Sequence, residues 1–337
     1  MKVKQIVAVA CAAVMLTACG SKTANNNNNK DNDNKVAVTE SQKPKAEGLN
    51  VVTTTYILRD LTEEIAGDKA AVTCLIPKGQ GVHGFEPSPK DMNLVNGSDL
   101  FIYNGAGLES FTDRLKESLE GDATFVEASE GIELLKGGHH HHHDEDADHD
   151  HDAADHDNDA TDHDHDHEHE GMDPHVWMAP ENAEEMAENI CEALSAKDPD
   201  NAAYYKANYE KLSEKFDALD DAFENALDKA KHKDIVVSHE AYGYLAKEYG
   251  LNQIPIEGIN SDSEPDPKAM KTIVDEMKAK GIKTVFTEPN EDDKIAQTVA
   301  SEAGAEVKEL DPMEYESDKN YFERMESNLK ILESALQ

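Results

Sequence analysis

Asn50-Val51-Val52-Thr53-Thr54 is a run of mostly β-branched residues, and apolar residues at helical spacing follow it over residues 57–66, ending before Gly67. β-Branched side chains favour extended backbone, whereas a 3.6-residue apolar period that stops at glycine is typical of an amphipathic helix. The stretch therefore predicts one strand followed by one helix. Repeated units of this kind build a parallel sheet with helices on both faces.

The strand-helix alternation recurs along the chain in two groups of four. Strands are predicted at 50–54, 71–76, 99–103 and 123–126 in the first group, and at 234–237, 252–256, 283–287 and 306–310 in the second. Helices are predicted at 57–66, 89–95 and 108–119, and from residues 241, 267, 292 and 318. The sequence thus predicts an α/β fold with two (βα)4 lobes, each built on a parallel sheet.

A long helical pattern lies between the two groups. One helix is predicted over residues 180–196, and another follows Asp198-Pro199 and continues to about Lys231. More than thirty helical residues would span roughly 45 Å, so we expect a rigid strut that joins the lobes. The expected division is an N-terminal lobe at 49–197, a linking helix at 198–233 and a C-terminal lobe at 234–337. Ligands of open parallel sheets bind at the carboxyl ends of strands, which predicts a site in the cleft between lobes.

The N-terminus has the features of an exported lipoprotein. In the predicted signal peptide, residues 1–18, Lys2 and Lys4 precede an apolar run that is too short to span a bilayer. Leu16-Thr17-Ala18-Cys19 resembles a bacterial lipobox, so Cys19 is the predicted lipidation site. Residues 19–48 are polar and predict a disordered tether. We expect a lipid-anchored protein on the outer face of the cytoplasmic membrane.

Residues 137–171 form a histidine- and aspartate-rich segment, predicted to be a loop of the first lobe. Twelve of the sixteen histidines lie there: His139, His140, His141, His142, His143, His149, His151, His156, His163, His165, His167 and His169. A solvated loop or a tag is the alternative interpretation. Because neutral imidazole binds zinc, copper and nickel, and carboxylates favour an approaching dication, we interpret these histidines as an auxiliary metal-capture segment.

The formal net charge of −39 is concentrated in this segment, but the remainder of the chain is also acidic. An acidic surface argues against nucleic acid as a partner. Of the four cysteines, Cys11 lies in the signal peptide and Cys19 is expected to carry lipid. For Cys74 and Cys191, buried free thiols are preferred to a disulfide.

Histidines and a carboxylate follow several of the predicted strands. His83 follows the strand at 71–76, His175 follows the fourth strand after the histidine-rich segment, and His239 directly follows residues 234–237. Glu314 follows the last strand. Three imidazoles and one carboxylate suit tetrahedral zinc better than manganese or magnesium. Glu288, Asp311 and water remain alternatives for the fourth ligand.

Four segments are similar to the signature segments of the metal-binding lipoproteins of bacterial zinc ABC importers. They are Val82-His83-Gly84-Phe85-Glu86-Pro87-Ser88-Pro89, Asp173-Pro174-His175-Val176-Trp177, Ser238-His239-Glu240-Ala241-Tyr242-Gly243-Tyr244 and Leu310-Asp311-Pro312-Met313-Glu314. The resemblance runs from about residue 50 to residue 337. It implies zinc held between two lobes by His83, His175 and His239, with Glu314 as fourth ligand. The family's manganese branch usually has a carboxylate where this chain has His239, which favours zinc. The extra C-terminal zinc-binding domain of some relatives is expected to be absent.

The predicted function is capture of zinc and its delivery to the membrane permease of an ABC transporter, by a protein that is a monomer and not an enzyme. A zinc hydrolase, with Glu86 or Glu240 as general base, is one alternative. The other is a surface adhesin or a metal-buffering protein in which the histidine-rich segment is the functional part.

Overall fold

The computed structural model describes residues 48–137, 171–259 and 266–337. The predicted signal peptide, Cys19, nearly all of the tether, and the twelve histidines of the histidine-rich segment lie outside the described residues. No helix of the described ranges is long and apolar enough to cross a membrane.

The first lobe contains a four-stranded parallel sheet. Its strands are β1 (Leu49–Thr53), β2 (Ala70–Cys74), β3 (Leu100–Tyr103) and β4 (Thr124–Glu127), in the spatial order β2-β1-β3-β4. The helices between them are α1 (Tyr56–Ala66), α2 (Pro89–Asn96) and α3 (Thr112–Ser118). All four predicted strands are present, while α3 begins at Thr112 rather than at residue 108.

The second lobe repeats the same topology. Its strands are β5 (Asp234–Val237), β6 (Asn252–Pro255), β7 (Thr284–Thr287) and β8 (Glu306–Glu309), in the order β6-β5-β7-β8 and all parallel. Its helices are α6 (Gly243–Tyr249), α7 (Pro267–Lys280), α8 (Lys294–Ala303) and α9 (Tyr321–Ala335). The two-lobe α/β prediction is therefore confirmed.

Two helices lie between the sheets, α4 (Pro180–Lys197) and α5 (Ala202–Leu227). α5 packs against α1 and α4 of the first group and against α6 and α9 of the second, so it contacts elements of both lobes. We propose that α5 links the two lobes, with the N-terminal lobe at 49–197, the linking segment at 198–233 and the C-terminal lobe at 234–337.

The α5 helix has 26 residues, fewer than the thirty or more predicted. At its start, Pro199–Asn201 forms a separate 3-10 turn, and the Asp198 carboxylate accepts hydrogen bonds from the Asn201 amide and the Tyr205 hydroxyl. At its end, the Lys233 ammonium donates to the Leu227 carbonyl at 2.6 Å. The Lys233 contact satisfies a terminal carbonyl of the helix, whereas the Asp198 contacts join side chains around its first turn. The apolar period alone did not reveal either.

Alternate residues of each inner strand face different cores, as the two-residue period of a strand requires. Val51 and Ile102 face one continuous core that also contains Ile235 and Val237 of the second lobe and the buried face of α5. Val52, Phe101 and their neighbours face a separate core beneath α2 and α3. The second lobe has a corresponding outer core beneath α7 and α8. The two lobes therefore share one hydrophobic core behind the cleft.

Hydrogen bonds also join the lobes close to this shared core. The Trp177 indole N–H donates to the Pro312 carbonyl at 2.8 Å, and the Tyr321 hydroxyl donates to the Trp177 carbonyl at 2.9 Å. Cys74 and Cys191 are free thiols, as preferred from the sequence. Cross-lobe attachment in the described chain therefore rests on packing and hydrogen bonds, with ion pairs such as Arg59 to Glu316 at 3.2 Å and Lys247 to Glu133 at 3.0 Å.

Phe216→Ala tests whether the shared core couples the lobes. Phe216 is 1% exposed on α5, and its ring lies 5.6 Å from the Tyr321 ring and 4.9 Å from the Phe322 ring of α9. Truncation leaves a cavity, so we expect a loss of about 3–5 kcal/mol in the free energy of unfolding. Calorimetry should show one transition, shifted as a whole. The control Glu210→Ala, on the exposed face of α5, should change stability by less than about 0.5 kcal/mol. Two transitions, of which one stays in place, would contradict a shared core.

Candidate metal centre

Four side chains meet in the cleft, each carried by a loop near the carboxyl end of a strand. His83 lies between β2 and α2, His175 lies just before α4, His239 follows β5, and Glu314 follows β8. One potential ligand atom from each residue lies within 4.8 Å of all the others. The parallel topology explains this convergence, because every strand of a lobe ends at the same edge of its sheet.

The contacts within the cluster are as short as those between ligands of a single ion. His83 Nε2 lies 3.0 Å from His175 Nε2 and 3.3 Å from Glu314 Oε1. His175 Nε2 lies 3.2 Å from Glu314 Oε1, and His239 Nδ1 lies 3.4 Å from the same oxygen. Zinc binds nitrogen and oxygen ligands at about 2.0–2.2 Å, so tetrahedral ligands are separated by roughly 3.3–3.5 Å. Small movements would therefore complete a tetrahedral site.

Asp173 fixes the orientation of His175. Its Oδ1 accepts the His175 backbone N–H at 3.0 Å and faces His175 Nδ1 at 2.7 Å. Nδ1 must donate in this pair, which leaves Nε2 to face the cluster. Burial alone would lower the pKa of His175, but the hydrogen bonds and charges of Asp173 and Glu314 outweigh it and raise the pKa to about 10.

His239 is held from two sides. Its Nε2 lies 2.7 Å from the Ile259 carbonyl oxygen, and its Nδ1 lies 2.9 Å from Glu288 Oε1. Burial would lower the pKa of His239, but its hydrogen bond with Glu288 raises it overall. Burial raises the pKa of Glu288. In the metal-free protein, one proton is thus held between His239 and Glu288.

Glu314 contributes the negative charge at the centre of the cluster. Burial would raise its pKa, but hydrogen bonds from His175 and His83 hold the pKa well below its usual value. Its side chain is 6% exposed, and that of His83 is 16% exposed, whereas His175 is completely buried. A metal ion here would be enclosed by protein and most accessible beside His83.

The structure brings together all four residues predicted as ligands, and it separates the alternatives for the fourth position. Asp311 forms a bidentate ion pair with Arg324, with both distances 2.7 Å, and does not belong to the cluster. Glu288 contacts His239 but does not belong to the four-residue cluster. His232, the remaining histidine of the described ranges, is also outside it.

Sequence reasoning did not assign a role to Asp173 or predict the Ile259 contact. Asp173 stands two residues before His175, a spacing at which a carboxylate can reach the neighbouring backbone and ring. That spacing was a usable signal. The Ile259 carbonyl gave none, because a backbone acceptor has no residue type to recognise.

The family comparison agrees with this geometry. Residues 51–335 match the family described as zinc-uptake complex component A, periplasmic (ZnuA). The chain belongs to this family. The ZnuA family comprises solute-binding components of zinc uptake systems and is not known as a family of enzymes.

Individual relatives support the assignment to the ZnuA family. The chain is 37% identical over 303 residues to the high-affinity zinc uptake system protein ZnuA of Bacillus subtilis, covering 88% of this chain and 90% of that protein. It is 32% identical to the zinc-binding lipoprotein AdcA of Streptococcus pneumoniae, covering 87% of this chain but 57% of that longer protein. The crystal structure of the Zn(II)-bound ZnuA-like domain of S. pneumoniae AdcA superposes with a TM-score of 0.70 at 30% identity, covering 86% of this chain and 99% of that domain.

The raised pKa of His175 predicts a proton release on metal binding. The group carries its proton at pH 7 because its pKa is about 10 rather than 6.5, and zinc must displace that proton from Nε2. Calorimetry in buffers of different ionisation enthalpy should show at least one proton released per zinc at pH 7, in a variant lacking residues 138–170. Affinity should increase with pH towards 10.

The same pKa also predicts how the stability of the metal-free protein depends on pH. A raised folded pKa stabilises the fold fully below about pH 6.5 and loses that contribution as pH rises through about 10. In the control His175→Ala, the free energy of unfolding should no longer fall as the pH rises from about 6.5 to about 10. Zinc binding at pH 7 without proton release would contradict the assigned protonation.

Proposed function

We propose that this protein is an extracytoplasmic solute-binding lipoprotein that captures one Zn²⁺ ion and delivers it to the membrane permease of an ABC transporter. The observation that carries the proposal is the buried convergence of His83, His175, His239 and Glu314. These residues are the proposed zinc ligands. Membership of the ZnuA family and the zinc-bound relative of similar fold support the choice of zinc.

The ligand chemistry also favours zinc over harder cations. Three imidazoles and one carboxylate match the tetrahedral preference of zinc, whereas manganese and magnesium prefer more oxygen ligands and higher coordination. His239 supplies a nitrogen where a carboxylate would move the site towards manganese. Asp173 supports this set by keeping the Nε2 of His175 directed at the ion.

The ion joins the two lobes. His83 and His175 belong to the first lobe, and His239 and Glu314 to the second, so each lobe contributes half of the ligands. Release requires the permease to separate the lobes or displace a ligand. The shared core behind the cleft, which includes the buried face of α5, keeps the lobes attached while the cleft opens or closes.

Membrane attachment and partners complete the proposal. Cys19 carries the lipid, residues 19–48 form the tether, and a monomer presents the cleft to the permease on the outer face of the cytoplasmic membrane. The name of the S. pneumoniae relative, a zinc-binding lipoprotein, supports this location. A monomer is sufficient for this function, because one polypeptide supplies the proposed ligands from both lobes.

The ligand set and the position of Glu86 favour a carrier over a zinc hydrolase. A catalytic zinc keeps a ligand position open for water, whereas four protein ligands, three of them buried, fill a tetrahedral shell. Glu86, a candidate general base, lies at the surface and binds Arg114 at 3.0 Å through both carboxylate oxygens. We therefore propose a carrier rather than a catalyst.

The histidine-rich segment is proposed to raise the local zinc concentration beside the cleft. The described residues on either side of it are adjacent: Lys136 and Met172 form a β-bridge, and the Gly137 N–H donates to the Gly171 carbonyl at 2.9 Å. Residues 138–170 can therefore be deleted with little strain at the junction. This deletion separates the cleft from the segment as the principal site.

Zinc stoichiometry on the variant lacking residues 138–170 tests the proposal. We expect one tightly bound zinc that excess manganese does not displace, because the cleft supplies three imidazoles. His239→Ala and Glu314→Gln should each weaken binding by about 10–100-fold or more, on the scale known for changes around metal sites. Competition with a fluorescent zinc chelator measures this.

His232→Ala is the matched control, since it removes a histidine outside the cluster and should leave affinity unchanged. If the shortened protein holds no tight zinc, the histidine-rich segment is the functional site and the protein is a metal buffer or adhesin.

A further inference from the structure

The contacts of His239 determine which of its ring nitrogens is available to a cation. Nε2 lies 2.7 Å from the Ile259 carbonyl oxygen, and a carbonyl oxygen only accepts, so Nε2 carries a hydrogen. The lone pair of the neutral ring is therefore on Nδ1. That atom faces two carboxylate oxygens, Glu288 Oε1 at 2.9 Å and Glu314 Oε1 at 3.4 Å.

In the metal-free protein a proton joins Nδ1 and Glu288 Oε1 in a hydrogen bond, and a cation that displaces this proton meets three atoms with lone pairs. Zinc ligands bound at about 2.0–2.2 Å lie roughly 3.3–3.5 Å apart, so the 3.4 Å separation matches such a pair, and the 2.9 Å hydrogen bond would lengthen slightly when zinc binds. Glu288 is not an accidental surface neighbour, because it is 7% exposed at the end of β7. Glu288 lies outside the cluster of four, so an ion centred among the four would have to shift towards His239 to reach it.

The three groups share another property: all belong to the second lobe. His239 follows β5, Glu288 follows β7 and Glu314 follows β8. The first lobe supplies His83 and His175 alone. If the lobes move apart, the second lobe thus offers the ion three ligands with two negative charges, whereas the first offers two neutral imidazoles.

A cavity of about 370 Å³ leads away from this point in the second lobe. His239 and Glu288 belong to its lining, as do the acidic residues Glu257, Glu291, Asp292 and Asp293. Lys294 also lines the cavity and pairs with Asp292, but the carboxylates outnumber it, and a concave surface of net negative charge concentrates cations. The cavity adjoins the second-lobe ligands and has no contribution from His83 or His175.

We propose that Glu288 is a further zinc-binding residue: together with His239 and Glu314 it forms a three-ligand half-site of the second lobe, which binds the ion before the first lobe closes and retains it when the lobes separate. The inference rests on the proposed zinc-carrier function. It assigns the second lobe as the one that receives and hands over the ion, with the acidic cavity as the approach.

The test removes the first-lobe ligands and asks what remains. In the protein lacking residues 138–170, His83→Ala with His175→Ala leaves the half-site intact, and zinc competition with a fluorescent chelator measures its affinity. Adding Glu288→Gln should weaken this residual binding about tenfold or more, because a charged ligand is lost. Glu291→Gln is the matched control, since it removes a charge from the same cavity without touching His239, and its effect should be less than about threefold.

A kinetic measurement distinguishes this role from a structural one. With all four principal ligands present, Glu288→Gln should slow zinc association and zinc dissociation by similar factors, because a half-site intermediate lies on both paths. Stopped-flow exchange with the chelator gives both rates. Glu288→Asp, which keeps the charge but shortens the side chain, is the second variant. Its zinc association and dissociation rates should lie between those of the wild type and those of Glu288→Gln.

The inference is overturned if, in the protein with His83→Ala and His175→Ala, the Glu288→Gln and Glu291→Gln substitutions give equal zinc affinities. That result would leave the carrier function intact. The function itself fails separately, if the protein with all four ligands and no histidine-rich segment binds no tight zinc.

Discussion

One electrostatic constraint governs the cleft: three imidazoles and one carboxylate lie so close together that a positive charge must be shared among them. Their ligand atoms approach to 3.0–3.4 Å in a buried cleft, where uncompensated lone pairs are costly. Protons meet this need in the metal-free protein, as the raised pKa of His175 indicates. A metal ion meets it better, because one dication contacts all four groups at once. Protons and zinc thus compete for the same space.

The surrounding residues make the geometry of the site depend on the arrangement of the lobes. Asp173 orients His175 through one oxygen, while its other oxygen lies so close to Gly243 that a Cβ there would be 2.6 Å away. The Tyr244 hydroxyl donates to the Asp173 carbonyl at 2.8 Å. Gly243 and Tyr244 begin α6 of the second lobe, so the residue that aligns a first-lobe ligand is itself held by the second. Separation of the lobes would loosen the His175 orientation as well as divide the ligands.

Sequence reasoning located the strands and the four clustered residues for a clear physical reason. β-Branched runs and helical periods are local signals, and in a parallel fold the residues after each strand must share one edge. His83, His175, His239 and Glu314 could therefore be placed together without coordinates. What sequence did not reveal was non-local. The α5 helix ends at Leu227, the last residue of its apolar period, instead of continuing to about Lys231, because the Lys233 ammonium binds the Leu227 carbonyl. Asp311 remained open as a ligand because its partner Arg324 lies on a later helix. Glu288 was likewise open as a fourth ligand, and its contact with His239 could not be predicted because it follows another strand.

The most direct measurement is the anomalous diffraction of zinc in crystals of the zinc-loaded protein lacking residues 138–170. The account predicts one strong peak in the cleft, with His83, His175, His239 and Glu314 each contributing one atom at about 2.0–2.2 Å. A zinc ion bound elsewhere, with these four side chains still in contact with each other and not with the ion, would contradict it.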